Sequence, residues 1–243
     1  MNPYITLEAN EGKHVERSVD GTRYNRYAIK THFVKEGENL HEIIEKYIVP
    51  IYKEGDILSI SEKIVALCQR DVIYKKDLKV GFLAKFLSKF VVKNKHCYGL
   101  RNVYKMQAVI DIVGPFKVIM AAVVSVLGKI IGKKGVFYEF LGNGVANIDG
   151  FGDEGFEYYS DMGTLAPSNP EKACQSIKDT YGINTMIVDA NDLGVEILGT
   201  NKELSGLTIH LKNIILDNPA GQEKQQTPLI LIRPAEEQTR TTA

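Results

Sequence analysis

Leu40, Ile43, Ile44, Tyr47 and Ile48 recur at helical steps and stop before Pro50, which predicts an amphipathic helix. Ahead of it, Ala28-Ile29-Lys30-Thr31-His32-Phe33-Val34 partly alternates apolar with polar and predicts a strand closed by the turn-forming Glu36-Gly37. Asp56-Ile57-Leu58-Ser59-Ile60 is a second strand, running into a helix start at Ser61-Glu62-Lys63-Ile64-Val65-Ala66, so Lys63 is delivered near a strand end. Phe82, Leu83, Phe86, Leu87 and Phe90 form a helical stripe with Lys85 and Lys89 on other faces, and residues 101–131 predict two helices split near Gly114-Pro115.

Val136-Phe137-Tyr138-Glu139-Phe140-Leu141 reads as a strand, followed by a Gly-rich turn region from Gly142 to Gly155. Pro170 to Tyr181 predicts a helix with proline near its start. Thr185 to Val188 predicts a short buried strand and Pro228 to Ile232 the last one. Residues 1–25 are polar without a sustained period and read as a loosely ordered arm with at most one short strand and little core. The tail 234–243 reads as flexible. The alternation of helices and strands predicts an α/β fold, with α+β as the alternative, in one domain spanning 1–243 that divides at most into two subdomains, the helices of 78–131 being an insertion.

The most apolar run, Val118 to Leu127, is bracketed by Lys117 and Lys129 at about half of the ~20 residues a membrane span requires. A buried helix is the expectation. An interfacial helix is the alternative, because lysines gather at Lys129, Lys133 and Lys134.

Composition narrows the function classes. With 44% hydrophobic residues the 243-residue chain builds a sizeable core, and thirty basic residues balance thirty acidic ones, so no global field marks a nucleic-acid binder. Cys68, Cys97 and Cys174 lie far apart with no CxxC pair, which excludes a disulfide framework and a thiolate zinc site and fits a reducing compartment. The first residues lack the pattern of a signal peptide, so a cytoplasmic protein without a membrane partner is expected.

Three oxygen-rich clusters carry candidate chemistry. Asp189-Ala190-Asn191-Asp192 follows an apolar strand, where α/β sheets place ligand sites; Asp217-Asn218-Pro219-Ala220-Gly221-Gln222 sets carboxylate and amide oxygens beside a glycine; Asn147-Ile148-Asp149-Gly150-Phe151-Gly152-Asp153 is an aspartate in a glycine-bearing loop. Each alone also reads as an Asx or Asn-Pro turn, and the glycines either admit a phosphate to the backbone or make a turn. Together the clusters offer the hard oxygens that suit Mg²⁺ or Mn²⁺. Lys129 to Gly135 fails the Walker spacing, and GxGxxG, HExxH and GxSxG motifs are absent. His32 and His96 read as ordinary core or surface residues.

Glu54-Gly55-Asp56-Ile57-Leu58 through Ser61-Glu62-Lys63-Ile64-Val65, then Ala146-Asn147-Ile148-Asp149, Leu165-Ala166-Pro167-Ser168-Asn169-Pro170, Val188-Asp189, and Gly221-Gln222 with Pro228 to Arg233 follow in an order that resembles the coenzyme F(420)-0:gamma-glutamyl ligases. The resemblance implies a mixed-sheet fold, a homodimer, and a GTP- (or ATP-) and metal-dependent amide ligase joining L-glutamate to a carboxylate acceptor. It makes Asp149, Asp189 and Gln222 the metal ligands and sets Lys63 by the nucleotide. Asp217 joins the metal candidates and Asp192 joins Lys63 as a catalytic candidate, while Gly150, Asn191, Asn218 and Gly221 are candidate nucleotide contacts. The sequence departs from the family pattern where Asp189-Ala190 replaces Asp-Thr and Asn191-Asp192-Leu193-Gly194 replaces Gly-Arg-Pro, losing a bidentate anion contact. Three further readings follow from this: a ligase for another acid such as a folate, a non-catalytic nucleotide or small-acid binding protein, and a membrane-peripheral module resting on the apolar run.

Overall fold

The computed structural model describes residues 6–91, 99–133, 135–142, 148–152, 157–191, 194–221 and 225–235, and the chain forms two compact units, 1–70 with 167–243 and 71–166.

The first unit holds β1 (Glu16–Val19), β2 (Thr22–Ile29), α1 (Leu40–Tyr47), β3 (Ile57–Ser61) and α2 (Glu62–Gln69) from its first stretch of chain. Its second stretch adds α7 (Pro170–Tyr181), β7 (Asn184–Asn191), β8 (Gly194–Thr200), α8 (Thr208–Ile214) and β9 (Leu229–Pro234). The six strands form one mixed sheet in the order β1-β2-β9-β3-β7-β8, with only the β3–β7 pair parallel. A parallel pair needs a long crossover, and here that crossover contains the whole second unit.

The sheet is covered on both faces. Tyr24, Ala28, Met186, Val188, Ile230 and Ile232 share one cluster with Leu211 and Ile214 of α8. Because successive strand residues point oppositely, the buried Leu58, Ile60, Ile187, Leu229 and Leu231 face the other way, against α2 and α7, with α1 packed on α2. Burying both faces is why β3, β7 and β9 read as near-continuous apolar blocks.

The polar N-terminal stretch is not a loose arm. Asp20 and Gly21 take φ of 50° and 84°, the positive-φ pair that a tight hairpin requires, so β1 and β2 pair and bring Val19 and Tyr24 into the core. The strand expected over 28–34 accordingly lies earlier and ends at Ile29.

The second unit holds β4 (Val72–Tyr74), α3 (Phe82–Leu87), α4 (Val103–Val113), α5 (Pro115–Ile130), α6 (Val136–Leu141), β5 (Asp149–Gly150) and β6 (Met162–Thr164). The three strands make a small antiparallel sheet in the order β4-β6-β5. Asn102 caps α4 by accepting from the N–H groups of Tyr104 and Lys105, and Gly114 at φ 85° with Pro115 turns the chain 115° into α5. Among the described residues no single helix is long and apolar enough to cross a membrane; the bent α4–α5 pair passes that test only when its two helices are taken together.

Two expectations fail in this unit. Residues 136–141 are helical: glycines at 135 and 142 take φ of 82° and 93°, bounding a six-residue helix, and Val136 closes on Gly128 of α5, where a Cβ would stand 2.7 Å from the valine methyl. The run 118–127 is not a buried helix. Only Val118, Ala121 and Gly128 of α5 are buried, while Phe116, Ile119, Val123, Leu127 and Ile130 are exposed. The expected stripe of α3 is likewise turned outward at Phe82, Phe86 and Phe90.

Candidate functional site

β3 and β7 run side by side in register from Ile57 opposite Asn184 to Ser61 opposite Val188. β3 therefore ends level with Val188, and β7 runs on past it. Beyond Ser61, which has extended cap geometry (φ −61°, ψ 134°), the chain turns at once into α2, with Glu62 buried and Lys63 half-buried in its first turn. That turn presents the positive end of the helix dipole. Beyond Val188 the neighbouring strand continues through Asp189 to Asn191. β9 is antiparallel and starts at the same end, the Ser61 N–H donating to Pro228 O at 2.9 Å, so the loop before Pro228 arrives there too. Crevices outside the carboxyl ends of parallel strands are where sheets of this kind bind ligands.

Asp189 lies inside a strand, not after one. β7 and β8 form an antiparallel hairpin that the sequence reading missed, with a register shift between Ile187 and Val188. Val188, Ala190, Val195 and Ile197 pack into the cluster under α8, so Asp189 and its cross-strand partner Glu196 share the opposite face. Asn191 Oδ1 accepts from the Gly194 N–H at 3.2 Å, the hydrogen bond of a hairpin turn. Asp192 lies outside the described residues.

The loop from Asp217 is held from the N-terminal stretch. The Arg26 guanidinium grips both carboxylate oxygens of Asp217, Arg17 approaches one of them at 3.1 Å, and Lys13 Nζ donates to the Asp217 carbonyl at 2.8 Å. Burial works to raise the Asp217 pKa, but the hydrogen bonds and charge of Arg26 outweigh it and hold the group below its ordinary value. Asn218 is buried at φ 49°, its side-chain amide donating to Gly221 O at 3.0 Å, and Gly221 sits at φ 74° where a Cβ would run into the Gln225 side chain. Asn10 Nδ2 reaches Pro219 O, Ala220 O and Thr227 Oγ1 at 2.8–2.9 Å, tying both arms of the loop together. Gln222 lies outside the described residues.

Asp149 and Gly150 belong to the second unit. They form β5, opposite Thr164 and Gly163 of β6. Gly150 is buried at φ 97°, and a Cβ there would strike the Met162 carbonyl, so strand packing alone demands a glycine.

The first unit thus brings Lys63, Asp189 and Asn191 to one end of its sheet, with the loop that carries Asn218 and Gly221 ending there at Pro228. Among the described residues no group of three or more His, Cys, Asp or Glu side chains is gathered tightly enough to hold a metal by itself. An open depression of about 590 Å³ lies along α7 and β8, lined by Glu171, Lys172, Gln175 and Thr200, and includes none of the candidates. Two carboxylates escaped the sequence reading. Glu62 had a readable signal, an acidic residue at the first helical position after a buried strand; Glu196 had only the alternation of Val195-Glu196-Ile197, visible once β8 is recognised.

Comparison with curated proteins gives no match. The family model described as F420-0:gamma-glutamyl ligase matches residues 28–191, a span that runs from β2 through the second unit to the end of β7 and stops short of the Asp217 to Pro228 loop. That span covers most of the chain and contains Lys63, Asp149 and Asp189, and on this ground the protein belongs to the F420-0:gamma-glutamyl ligase family.

Proposed function

We propose that the chain is an amide ligase that joins L-glutamate to a small-molecule carboxylate of the F420-0 type, using GTP, or ATP, as co-substrate with Mg²⁺ or Mn²⁺. Family membership supports the ligase class. The observation that carries the reading further is the parallel register that ends β3 at Ser61 opposite Val188, which sets Lys63, in the first turn of α2, and Asp189, the next residue of β7, at the same end of the sheet.

The donor chemistry there suits a divalent ion. Asp189 and Glu196 oppose each other across the hairpin, an arrangement of like charges that a cation relieves, and both are hard-oxygen donors. In this reading Asp189 and Gln222 are metal ligands, and Asp192 is a catalytic candidate. Asp217 is left out, because Arg26 and Arg17 already engage its carboxylate. A bound divalent ion supplies charge neutralisation on the transferring phosphoryl group.

Lys63 acts from the protein side. Its ammonium, on the first turn of α2, binds the terminal phosphates where the helix dipole also favours negative charge. The acceptor carboxylate attacks the terminal phosphorus in line, the nucleoside diphosphate leaves, and an acyl phosphate results. The glutamate amine then attacks the acyl carbon, loses a proton and expels phosphate, leaving the amide. No protein nucleophile takes part, in keeping with the absence of a GxSxG motif from the sequence. A homodimer is part of the same proposal.

Isothermal titration of GTP and ATP in Mn²⁺ tests it. Binding is expected only with metal, to be abolished in Asp189→Asn and weakened about tenfold or more in Lys63→Met, the loss of a charge-assisted contact. A wild-type protein that binds neither nucleotide, or an Asp189→Asn variant that binds as wild type does, rules the reading out. Phosphate released on adding glutamate with a panel of carboxylate acceptors identifies the acceptor class.

A further inference from the structure

The second unit carries a surface that the ligase reading does not use. α5 is amphipathic in the reverse sense: its narrow inner face of Val118, Ala121 and Gly128 packs against the core, whereas a continuous outer stripe is apolar and open to solvent. Phe116, Leu127 and Ile130 in that stripe are 77, 58 and 76% exposed, and Ile119 and Val123 complete the run at three- and four-residue steps. A contiguous apolar surface of this kind marks a docking site. α3 and the 3-10 turn Ser88–Phe90 after it expose a second ridge, where Phe82 stacks on Phe86 and Phe86 meets Phe90 at a tilt, with centroids 6.0 and 4.9 Å apart, beside the exposed Lys85 and Lys89.

Charge indicates what covers the stripe. The whole chain is neutral, yet residues 78–138 contain eleven lysines and arginines and a single acidic residue, Asp111. Lys117 Nζ donates to Leu141 O at 3.1 Å, but the exposed Lys129 flanks the α5 stripe and the exposed Lys133 follows at its end. A second copy of the chain fits poorly, because a two-fold interface would set this basic flank against itself. An anionic plane fits the apolar stripe and the lysines at its C-terminal end together. The helix has 16 residues, about 24 Å, which is short of the ~30 Å hydrocarbon core, so it would lie in the interface and not cross it.

We infer that the α5 face of the second unit binds an anionic lipid surface, the apolar stripe lying among the acyl chains and the flanking lysines among the headgroups. Aliphatic lysine stems allow that division, reaching from apolar surface to charged headgroup.

Flotation of the full chain with vesicles of phosphatidylcholine alone, or of phosphatidylcholine with phosphatidylglycerol, tests it. The protein is expected to float with the anionic vesicles only, less so as salt is raised, with partitioning about fivefold weaker for each of Lys129→Gln and Lys133→Gln. Val123→Asp with Leu127→Asp, at exposed positions, should abolish flotation while leaving the circular dichroism unchanged. Wild-type protein that stays unbound on anionic vesicles overturns the inference, as does flotation that survives the paired aspartates. A wild-type dimer in light scattering that Val123→Asp dissociates also overturns it, since a second copy then covers the face.

Discussion

Arg26 is 1% exposed, and its guanidinium contacts serve the fold: Ile214 O at 2.9 Å, His14 O at 2.7 Å, Val15 O at 3.5 Å and both oxygens of Asp217. Substitution by methionine keeps the volume and leaves those acceptors without their donor. Arg26 is buried but Asp217 is 34% exposed, so losing the guanidinium costs about 1–3 kcal/mol, chiefly through its stranded acceptors, and Arg26→Met should lower the urea midpoint at neutral pH with little change in slope. The pH dependence carries a signature. Because Arg26 holds the Asp217 pKa down, the pair stabilises the fold above the ordinary aspartate pKa of about 3.9, and that contribution disappears as the pH falls through the lower folded value. Urea titrations on the acid side should show wild type losing this stability and Arg26→Met, left with Arg17 alone beside Asp217, losing less of it. Asp217 was read as a metal donor because Asp-Asn-Pro-Ala-Gly-Gln is rich in oxygens; its partner is 191 residues away, where no local pattern reaches.

The thiols behave as their surroundings dictate. Burial, reinforced by Glu38 and Glu171 respectively, pushes Cys68 and Cys174 up to about 12, and a thiol at such a value holds almost no thiolate at neutral pH. Iodoacetamide at pH 7.5 should leave both unlabelled in the native protein and label both in urea, as peptide mass spectrometry would read. Modification of either in the folded state would contradict the packing described.

Elements were legible where periodicity and punctuation agreed. α1 is apolar at helical steps and starts at the Asn39 cap, α4 and α5 break at Gly114-Pro115, and α7 starts on Pro170 and ends at Gly182 with φ 75°. β3 and β9, buried on both faces, were legible as apolar blocks. Elements failed where local preference and packing conflicted. Val136-Phe137-Tyr138-Glu139-Phe140-Leu141 has the β-branched and aromatic content of a strand, but the close approach of α6 to Gly128 decides otherwise. The Asp20-Gly21 dipeptide announces a hairpin that polar composition obscured, and β8 was lost because its two glycines, Gly194 and Gly199, dilute its alternation. Gly128→Ala should cost about 1–3 kcal/mol through overpacking against Val136. Val136→Ala in the same chain should recover part of that, and a thermodynamic cycle by chemical denaturation that is simply additive would mean the two helices do not meet there.

For the molecule as a whole, the division of the chain into units matters more than any one element. Within the second unit the Leu165 N–H donates to Asp71 O at 2.8 Å, so the chain enters and leaves it at one place; within the first, the Asn169 N–H reaches Gln69 Oε1 at 3.4 Å. Replacing residues 71–166 by a short Gly-Ser linker should leave the six-stranded sheet able to fold, read as a cooperative urea transition with strand-type circular dichroism. A non-cooperative product would mean that the sheet needs the inserted unit. Of the candidate site, Lys63 and Asp189 were legible because each stands at or beside a strand end. The pairing of Asp189 with Glu196 was not, since it depends on a hairpin and a register shift.

The clasp formed by Asn10, Lys13, Arg17 and Arg26 on the Asp217 to Thr227 loop has a practical corollary. A shortened protein beginning near Tyr24, trimmed because its opening residues look dispensable, would keep most of its sheet and Arg26 but lose the other three ties on the segment that carries Gln222. Such a truncation would be mistaken for an inactive enzyme when it is only an unfastened one.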